Sequence, residues 1–499
     1  MSECLLGIDA GNTMIKAVLF DTEGSVLSVA ECAGETQQPQ PGYAERPPEA
    51  IYQGVQRAVS ACLARAGDAA KRVVAVGAAG HGNGLYALDK KRQPLLGIQS
   101  IDNRAIERVQ ELEQHGIDGL IYQRSLQKPW AAATPLLLSW LKRHDAARYR
   151  QIGHVLCAKD VINHFLCGSL SGDFSDAAGA GLIYYASRNY DDELLALYDI
   201  VDALPLLPRL RESCAVAGYV SADAARLTGL PAGIPVVAGI FDVVASAVGS
   251  GVVRSGEASI VAGTWSINQV VVDKPDYLRP IFMNSIIERD RYMAIEASAT
   301  SAANLDWFVR EFDDGRAGQG AARSSEMVAQ VRLNDQLPIY HPYLYAGRKE
   351  GPAKAGFYGL GGWHTRADML FALFEGVTFA HRAHIDRLRA AGVAFEQATL
   401  SGGATQSSVW PQMFADVLGI PIRVAECKET GALGAAICAG VGVGIYQHLA
   451  DGAAQAVQIT PGVLMPDAQR HAFHDARYAV FKQLERAMDE VWHQGLSRH

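Results

Sequence analysis

Asp9, Gly11, Asn12 and Thr13 sit at the bend of "GIDAGNTMIKAVLFD", with Lys16 just beyond. A glycine bend bares backbone N–H groups that bind phosphate oxygens without side-chain bulk. Thr13 adds a hydroxyl and Lys16 a cation. Asp9 suits phosphate only with a metal or its waters between them, as when Mg²⁺ is held by one or two carboxylates and phosphate oxygens. The stretch lacks the G-x-x-x-x-G-K-[ST] pattern. An ordinary hairpin whose Asp and Asn serve the turn is the other reading. Gly263-Thr264 forms a second bend of the same kind, and Gly402-Gly403-Ala404 in "LSGGAT" a third. The first two together suggest clamps on one polyphosphate. The third is either a strand-to-helix loop or a place where backbone passes close to a flat ligand. Asp242 interrupts the apolar stretch "IPVVAGIFDVVASAVGSG". It caps a helix from Val243 onward, or it is a desolvated general base, or both. His381 and His384 lie three apart with no third ligand and read as structural or solvated.

These residues need elements to carry them. Cys4–Ile8, Val18–Phe20 and Val26–Ala30 read as an antiparallel meander. Ala50–Ala66 has helical spacing, and Val73–Gly77 is a short apolar strand leading into the glycine-dense "GAAGHGNGLYALD". "SIVAGTWSINQVVVD" (259–273) echoes the opening hairpin, which suggests two similar halves and a ligand cleft between them. Thr365–Leu388 reads as a long helix, Ala398–Gly419 as strand, turn and helix, and "TGALGAAICAGVGVGIY" as a tightly packed small-residue helix. Ile234–Val253 and Gly431–Tyr446 look membrane-like at a glance but read better as buried elements.

The 499 residues allow two domains, placed at 1–248 and 249–499, with 49% apolar and 20% charged residues. The net charge of −8 and the lack of a basic run disfavour a nucleic-acid partner. Eight cysteines without a C-x-x-C pair argue against zinc or a disulfide framework and fit a reduced cytoplasm. No secretion leader or membrane span is read.

Taken together, these stretches resemble the FGGY carbohydrate kinases along nearly the whole chain. "DAGNTMIKAVLFD" is similar to their first phosphate loop and "AGTW" to the second. "LTGLPAGIPVVAGIFDVVASAVGSGV" resembles their catalytic-aspartate segment. "GFYGLGGWHTRADMLFALFEG" resembles a family signature, with Leu373 off pattern, and "SGGATQSSVWPQMFADVLGIPI" and "ETGALGAAICA" resemble the adenosine side. The resemblance implies an α/β, two-domain actin/hexokinase/Hsp70-like (ribonuclease H-like) fold with an interdomain active-site cleft. It implies MgATP and transfer of the γ-phosphoryl group to a sugar hydroxyl. It makes Asp242 the base and sets Asp9 near Mg²⁺, directly or through water, with Asp242 a second candidate metal contact. Gly11, Asn12, Thr13, Lys16, Gly263 and Thr264 hold phosphate; Gly402, Gly403, Ala404 and Ser407 line the nucleotide side. A homodimer is the family's common habit.

The sugar side departs from the xylulose-kinase pattern. Gly80-His81-Gly82-Asn83-Gly84 stands where those relatives read Gly-Gln-Met-His-Gly. "SIDNRA" resembles the sugar-side W-x-D-x-R stretch but lacks its tryptophan. "FDVV", "GTW" and "EASATSAANLDWF" resemble the L-xylulose kinases in particular. Gly82, Asn83, Asp102, Arg104, Asp242, Trp265 and Glu296 are the sugar-pocket candidates, and the small Gly82 is expected to enlarge that pocket. Ribulose and small polyols such as erythritol or xylitol stay open as acceptors. A sugar-responsive nucleotide-binding regulator on the same fold is the reading from another class.

Overall fold

The computed structural model describes residues 3–312, 320–345 and 353–494, which form two compact units. The first unit comprises Met1–Ser255, Val271–Ala294 and Glu429–Gln458; the second comprises Gly256–Val270, Ile295–Lys428 and Ile459–His499. The single cut expected after residue 248 therefore differs from this division, because the chain returns twice to the first unit.

In the first unit, β1 (Cys4–Ala10), β2 (Met14–Asp21) and β3 (Val26–Ala33) form the expected antiparallel meander. β4 (Val73–Gly80) runs parallel to β1, pairing Ala10 with Gly80. β5 (Val216–Tyr219) and β6 (Pro235–Val237) extend the sheet in the order β5-β6-β4-β1-β2-β3, and the short strand Ile240–Phe241 also pairs with β4. β1 and β4 are apolar almost throughout because helices cover them, the usual state of parallel strands. One cover is the helix Pro48–Ala66, whose buried stripe includes Ile51, Val55, Val59 and Leu63 at helical spacing.

The other cover is the helix Thr430–Gly442, and its small residues have a direct reason. A Cβ on Gly7 would lie 1.9 Å from the Ala432 carbonyl oxygen, and one on Gly77 would lie 2.0 Å from that of Ala435. Gly434 in turn makes room for the carbonyl of Ala245, which a Cβ would approach to 2.0 Å. Backbone thus packs on backbone, and a larger residue at any of these positions forces a shift. Neither membrane-like stretch is a span. Among the described residues, no helix is long and apolar enough to cross a membrane.

In the second unit, β7 (Ala258–Ala262) and β8 (Ser266–Val272) form the echoed hairpin. β9 (Ala398–Ser401) runs parallel to β7, and β10 (Ile422–Val424) runs parallel to β9. The helix Arg366–Ala390 is capped by Thr365 and Asp368 in a capping box. His381 and His384 on this helix are buried in a polar network. Asn268 Oδ1 accepts from His381 Nδ1 at 2.9 Å, and Asn268 Nδ2 donates to His384 Nδ1 at 2.8 Å. No disulfide joins the eight cysteines.

Candidate active site

Three parallel strands of the first unit end at one edge. Asp9 of β1 and Ile240 both pair with Ala79 of β4; Ala10 and Phe241 both pair with Gly80. Asp9 and Asp242 therefore leave the sheet at the same level on opposite sides of β4, with the Gly80–Gly84 loop between them. The carboxyl ends of parallel strands are where open α/β sheets present ligand-binding groups.

Asp242 opens the helix Asp242–Val248, with Phe241 in the cap position and no side-chain cap bond. The expected capping role is thus corrected: the carboxylate lies within the first turn and accepts the backbone N–H groups of Val243 and Gly82. Burial, and then the charge of Asp9, hold its proton affinity well above the ordinary carboxylate range, although the two N–H bonds oppose this. It keeps part of its surface accessible. Asp9 is raised to about 6, first by burial and then by Glu429, with Lys16 opposing.

Lys16 faces Asp9 across the β1–β2 pair and donates to Glu429 Oε2 at 2.7 Å. Burial alone would lower the Lys16 pKa; the hydrogen bond and charge of Glu429 raise it. Glu429 precedes the glycine helix, so the same helix that covers the sheet sets the partner of Lys16. Gly431 is the close neighbour of Asp9: a Cβ there would lie 2.4 Å from Asp9 Oδ2.

The opening bend is held from behind. Buried Arg46 donates to the carbonyls of Gly11, at 3.1 Å, and of Asn12. Gln99 Nε2 also donates to the Asn12 carbonyl at 3.0 Å. Among the described residues all peptides are trans, and a trans peptide points its N–H opposite to its carbonyl. With these two carbonyls on Arg46, the N–H groups of Asn12 and Thr13 face the other way. The Asn12 amide is engaged by Ser100 and Gln99, so its part in any phosphate contact is played by backbone. Arg46, Gln99 and Glu429 were not singled out from the sequence. Arg46 lies 34 residues from Asn12 and Glu429 lies 413 from Lys16, and no local pattern signals such pairs.

The sugar-side candidates fare unevenly. A Cβ on Gly82 would lie 2.3 Å from the ring of Phe241, and one on Gly179 would lie 2.8 Å from the same ring. The expectation that Gly82 enlarges a pocket is therefore corrected, since Phe241 fills that space. Asn83 adopts a left-handed conformation with φ 61° and donates to the Gly179 carbonyl at 3.2 Å. Asp102 is fully buried and accepts from Arg104 Nε and Nη2 at 2.9 Å each, and from the Ala44 N–H at 2.7 Å. Arg104 also pairs with Glu45 at 2.8 Å and lies over the Tyr43 ring. This Asp–Arg fork fastens the 99–104 loop whose Gln99 and Ser100 hold Asn12.

In the second unit, the β7–β8 bend spans Gly263, Thr264 and Trp265. Gly402 has φ +88° and would bring a Cβ to 3.1 Å from the Gly263 nitrogen, so the second and third glycine bends meet. Gly403 follows in the same turn, and Ala404 is buried. Ser407 Oγ accepts the N–H of Trp410 at 3.1 Å and the hydroxyl of Ser325 at 2.8 Å; it starts the Trp410–Leu418 helix. Glu296 is buried and accepts from Arg387 Nε at 2.9 Å. Trp265 is half-buried at the bend.

Two family models match the chain: the N-terminal domain of the FGGY family of carbohydrate kinases over residues 4–249, and the C-terminal domain over 258–443. The chain belongs to the FGGY family of carbohydrate kinases. It is 32% identical to the L-xylulose/3-keto-L-gulonate kinase of Escherichia coli (strain K12), over all of both chains. It is 33% identical to a probable L-xylulose kinase of Pasteurella multocida (strain Pm70), covering 97% of this chain and 98% of that one. Among solved structures, the xylulose kinase from Rhodospirillum rubrum superposes with a TM-score of 0.87 at 27% identity, covering 99% of this chain and all of the other. A gluconate kinase from Lactobacillus acidophilus shares the fold at TM-score 0.88 and 22% identity, covering 98% and 99%. This FGGY chain is thus a carbohydrate kinase with the expected two-domain α/β sugar-kinase fold. The regulator reading gains no support from these relatives.

Proposed function

We propose that this kinase transfers the γ-phosphoryl group of MgATP to a hydroxyl of xylulose, the L-enantiomer first. The observation that carries the substrate is full-length similarity to kinases named for L-xylulose at 32–33% identity. D-xylulose, ribulose, erythritol and xylitol are the competing acceptors.

Asp242 is the general base. Its raised proton affinity suits it to take the hydroxyl proton as that oxygen attacks phosphorus, and the N–H groups of Gly82 and Val243 aim it. The N–H groups of Asn12 and Thr13, with Lys16, receive phosphate oxygens on the first unit. The Gly263–Thr264 and Gly402–Ala404 bends, with Ser407, take the nucleotide on the second. Two buried carboxylates, of which Asp9 raises the proton affinity of Asp242, suit a hard divalent cation. Among the described residues no cluster of three or more His, Cys, Asp or Glu could hold a metal, which fits Mg²⁺ carried mainly by phosphate and water. Asp9 would hold it through water, and the ion would neutralise phosphate charge. The reading places the chain in the cytoplasm, where ATP is available.

The test is ADP release with L-xylulose, D-xylulose, D- and L-ribulose, xylitol, erythritol and 3-keto-L-gulonate. L-xylulose is expected to give the highest kcat/KM. Preference for a polyol would overturn the substrate, and turnover of none by folded protein would overturn the reading.

A further inference from the structure

Against the stretch that delivers Asp242, the first unit buries four charged side chains together. Lys159 Nζ lies 2.6 Å from Asp160 Oδ1, 3.0 Å from Asp173 Oδ1 and 3.2 Å from Asp176 Oδ2, and no side chain of the four is more than 1% exposed. Apolar residues of similar volume are commonly as stabilising at such a place, so stability alone does not account for the cluster.

Its connections lead to one segment. Asp173 Oδ2 accepts the Ser175 hydroxyl at 2.5 Å, and Ser175 Oγ accepts the N–H of Phe241 at 2.9 Å. Phe241 is the residue before Asp242 and sits at the cap of its helix. The stem of Lys159 touches the same segment two residues earlier: Gly239 has φ +83°, and a Cβ there would lie 3.2 Å from Lys159 Cδ. Asn163, on the same helix as Lys159, donates to the carbonyls of Val237 and Ala238 at 3.2 and 2.8 Å. Residues 237–241 are thus laid along buried polar groups immediately before the carboxylate. A base must be held to within a fraction of an ångström of its working position. The two-residue pairing with β4 and the packing of the seven-residue helix on the glycine helix place the segment, and these hydrogen bonds fix the backbone directly before Asp242.

We infer that Lys159, Asp173 and Ser175 form a buried relay that fixes the position of Asp242. They are positioning residues and touch neither sugar nor nucleotide. The inference rests on Asp242 being the base.

Ser213 supplies an internal control. Its hydroxyl donates to the same Asp173 Oδ2 at 2.7 Å, whereas the Phe241 N–H goes to Ser175 alone of the two serines. Four variants are measured for kcat, KM and Tm with MgATP and the best acceptor of the panel above, L-xylulose being the expected one. Ser175→Ala is expected to lower kcat roughly 10- to 100-fold with KM for ATP unchanged. Ser175→Thr, which keeps the hydroxyl, recovers most of kcat. Ser213→Ala loses a comparable amount of Tm but keeps kcat. Asp242→Asn folds and is inactive. Should Ser175→Ala not fold, Ser175→Cys, near-isosteric with a weaker acceptor, gives the same comparison. Wild-type kcat in the Ser175 variant, or equal loss of kcat in the Ser175 and Ser213 variants, overturns the relay. Turnover by Asp242→Asn instead overturns the base assignment on which it rests.

Discussion

In the proposed mechanism Asp9 and Asp242 carry the chemistry, and their surroundings make each a stronger base than a carboxylate in water. The consequence is a pH dependence with a definite sign. Both groups act ionised, and both have raised proton affinity, so acid removes the active form earlier than it would for exposed aspartates. With Asp9 at about 6 and Asp242 well above its ordinary value, kcat/KM for the sugar is expected to fall as pH drops through 6, and no later. A profile measured from pH 4.5 to 8 at saturating MgATP checks this. An acid limb centred near 4, the ordinary carboxylate value, would contradict the assignment. The residue types themselves were legible in the sequence: a lone aspartate in an apolar run and an acidic residue before a glycine bend are conspicuous. What stayed hidden was who else touches them. Gly82 reads as open space until the ring of Phe241 is placed against it. Asn12 reads as a phosphate ligand until Gln99 and Ser100 are seen to occupy its amide.

Among the elements, the glycine helix Thr430–Gly442 decides the most. Its pattern of small residues announced tight packing, but not that Gly431 lies on Asp9 or that Glu429, just before it, pairs with Lys16. Those contacts join positions more than 400 residues apart, beyond the reach of periodicity or turn chemistry. Gly431→Ala makes the element-scale prediction. The added methyl would come within 2.4 Å of Asp9 Oδ2, so either the carboxylate or the helix must move. The variant is expected to lose about 1–3 kcal/mol of stability, the usual cost of overpacking. It is also expected to lose more of kcat than that destabilisation explains, because Asp9 is displaced in the folded fraction. Steady-state kinetics beside a urea titration separate the two effects; unchanged kcat would show that Asp9 tolerates the shift. The hairpins, the long helix and the strand–turn–helix of 398–419 were all legible, since each is a local pattern closed by local hydrogen bonds.

For the molecule as a whole, buried neutral histidines set a limit on acid tolerance. His81 and His381 are both lowered to about 3, mainly by burial. Each has a folded pKa below its unfolded one, so unfolding takes up a proton at any pH between them. The stability each contributes is complete above about 6.5 and is lost progressively as pH falls toward 3. At pH 5 each group costs roughly 2 kcal/mol. Asp9, raised in the fold, works in the opposite sense in the first unit as its carboxyl protonates. Urea midpoints at pH 7.5 and 5 test this, and His381→Gln should reduce the difference between them. An equal pH dependence in that variant would remove His381 as the cause.

The chain's return to its first unit has a consequence for biosynthesis. β1 and β4 are laid down early, yet the helix that covers them begins only at Thr430, after most of the second unit has been translated. At 5–20 residues per second, that delay is on the order of twenty to seventy seconds. For that interval a nascent chain carries a bare apolar sheet, a natural client for a chaperone. A fragment ending near residue 255 would keep that bare face for good and so should aggregate rather than fold.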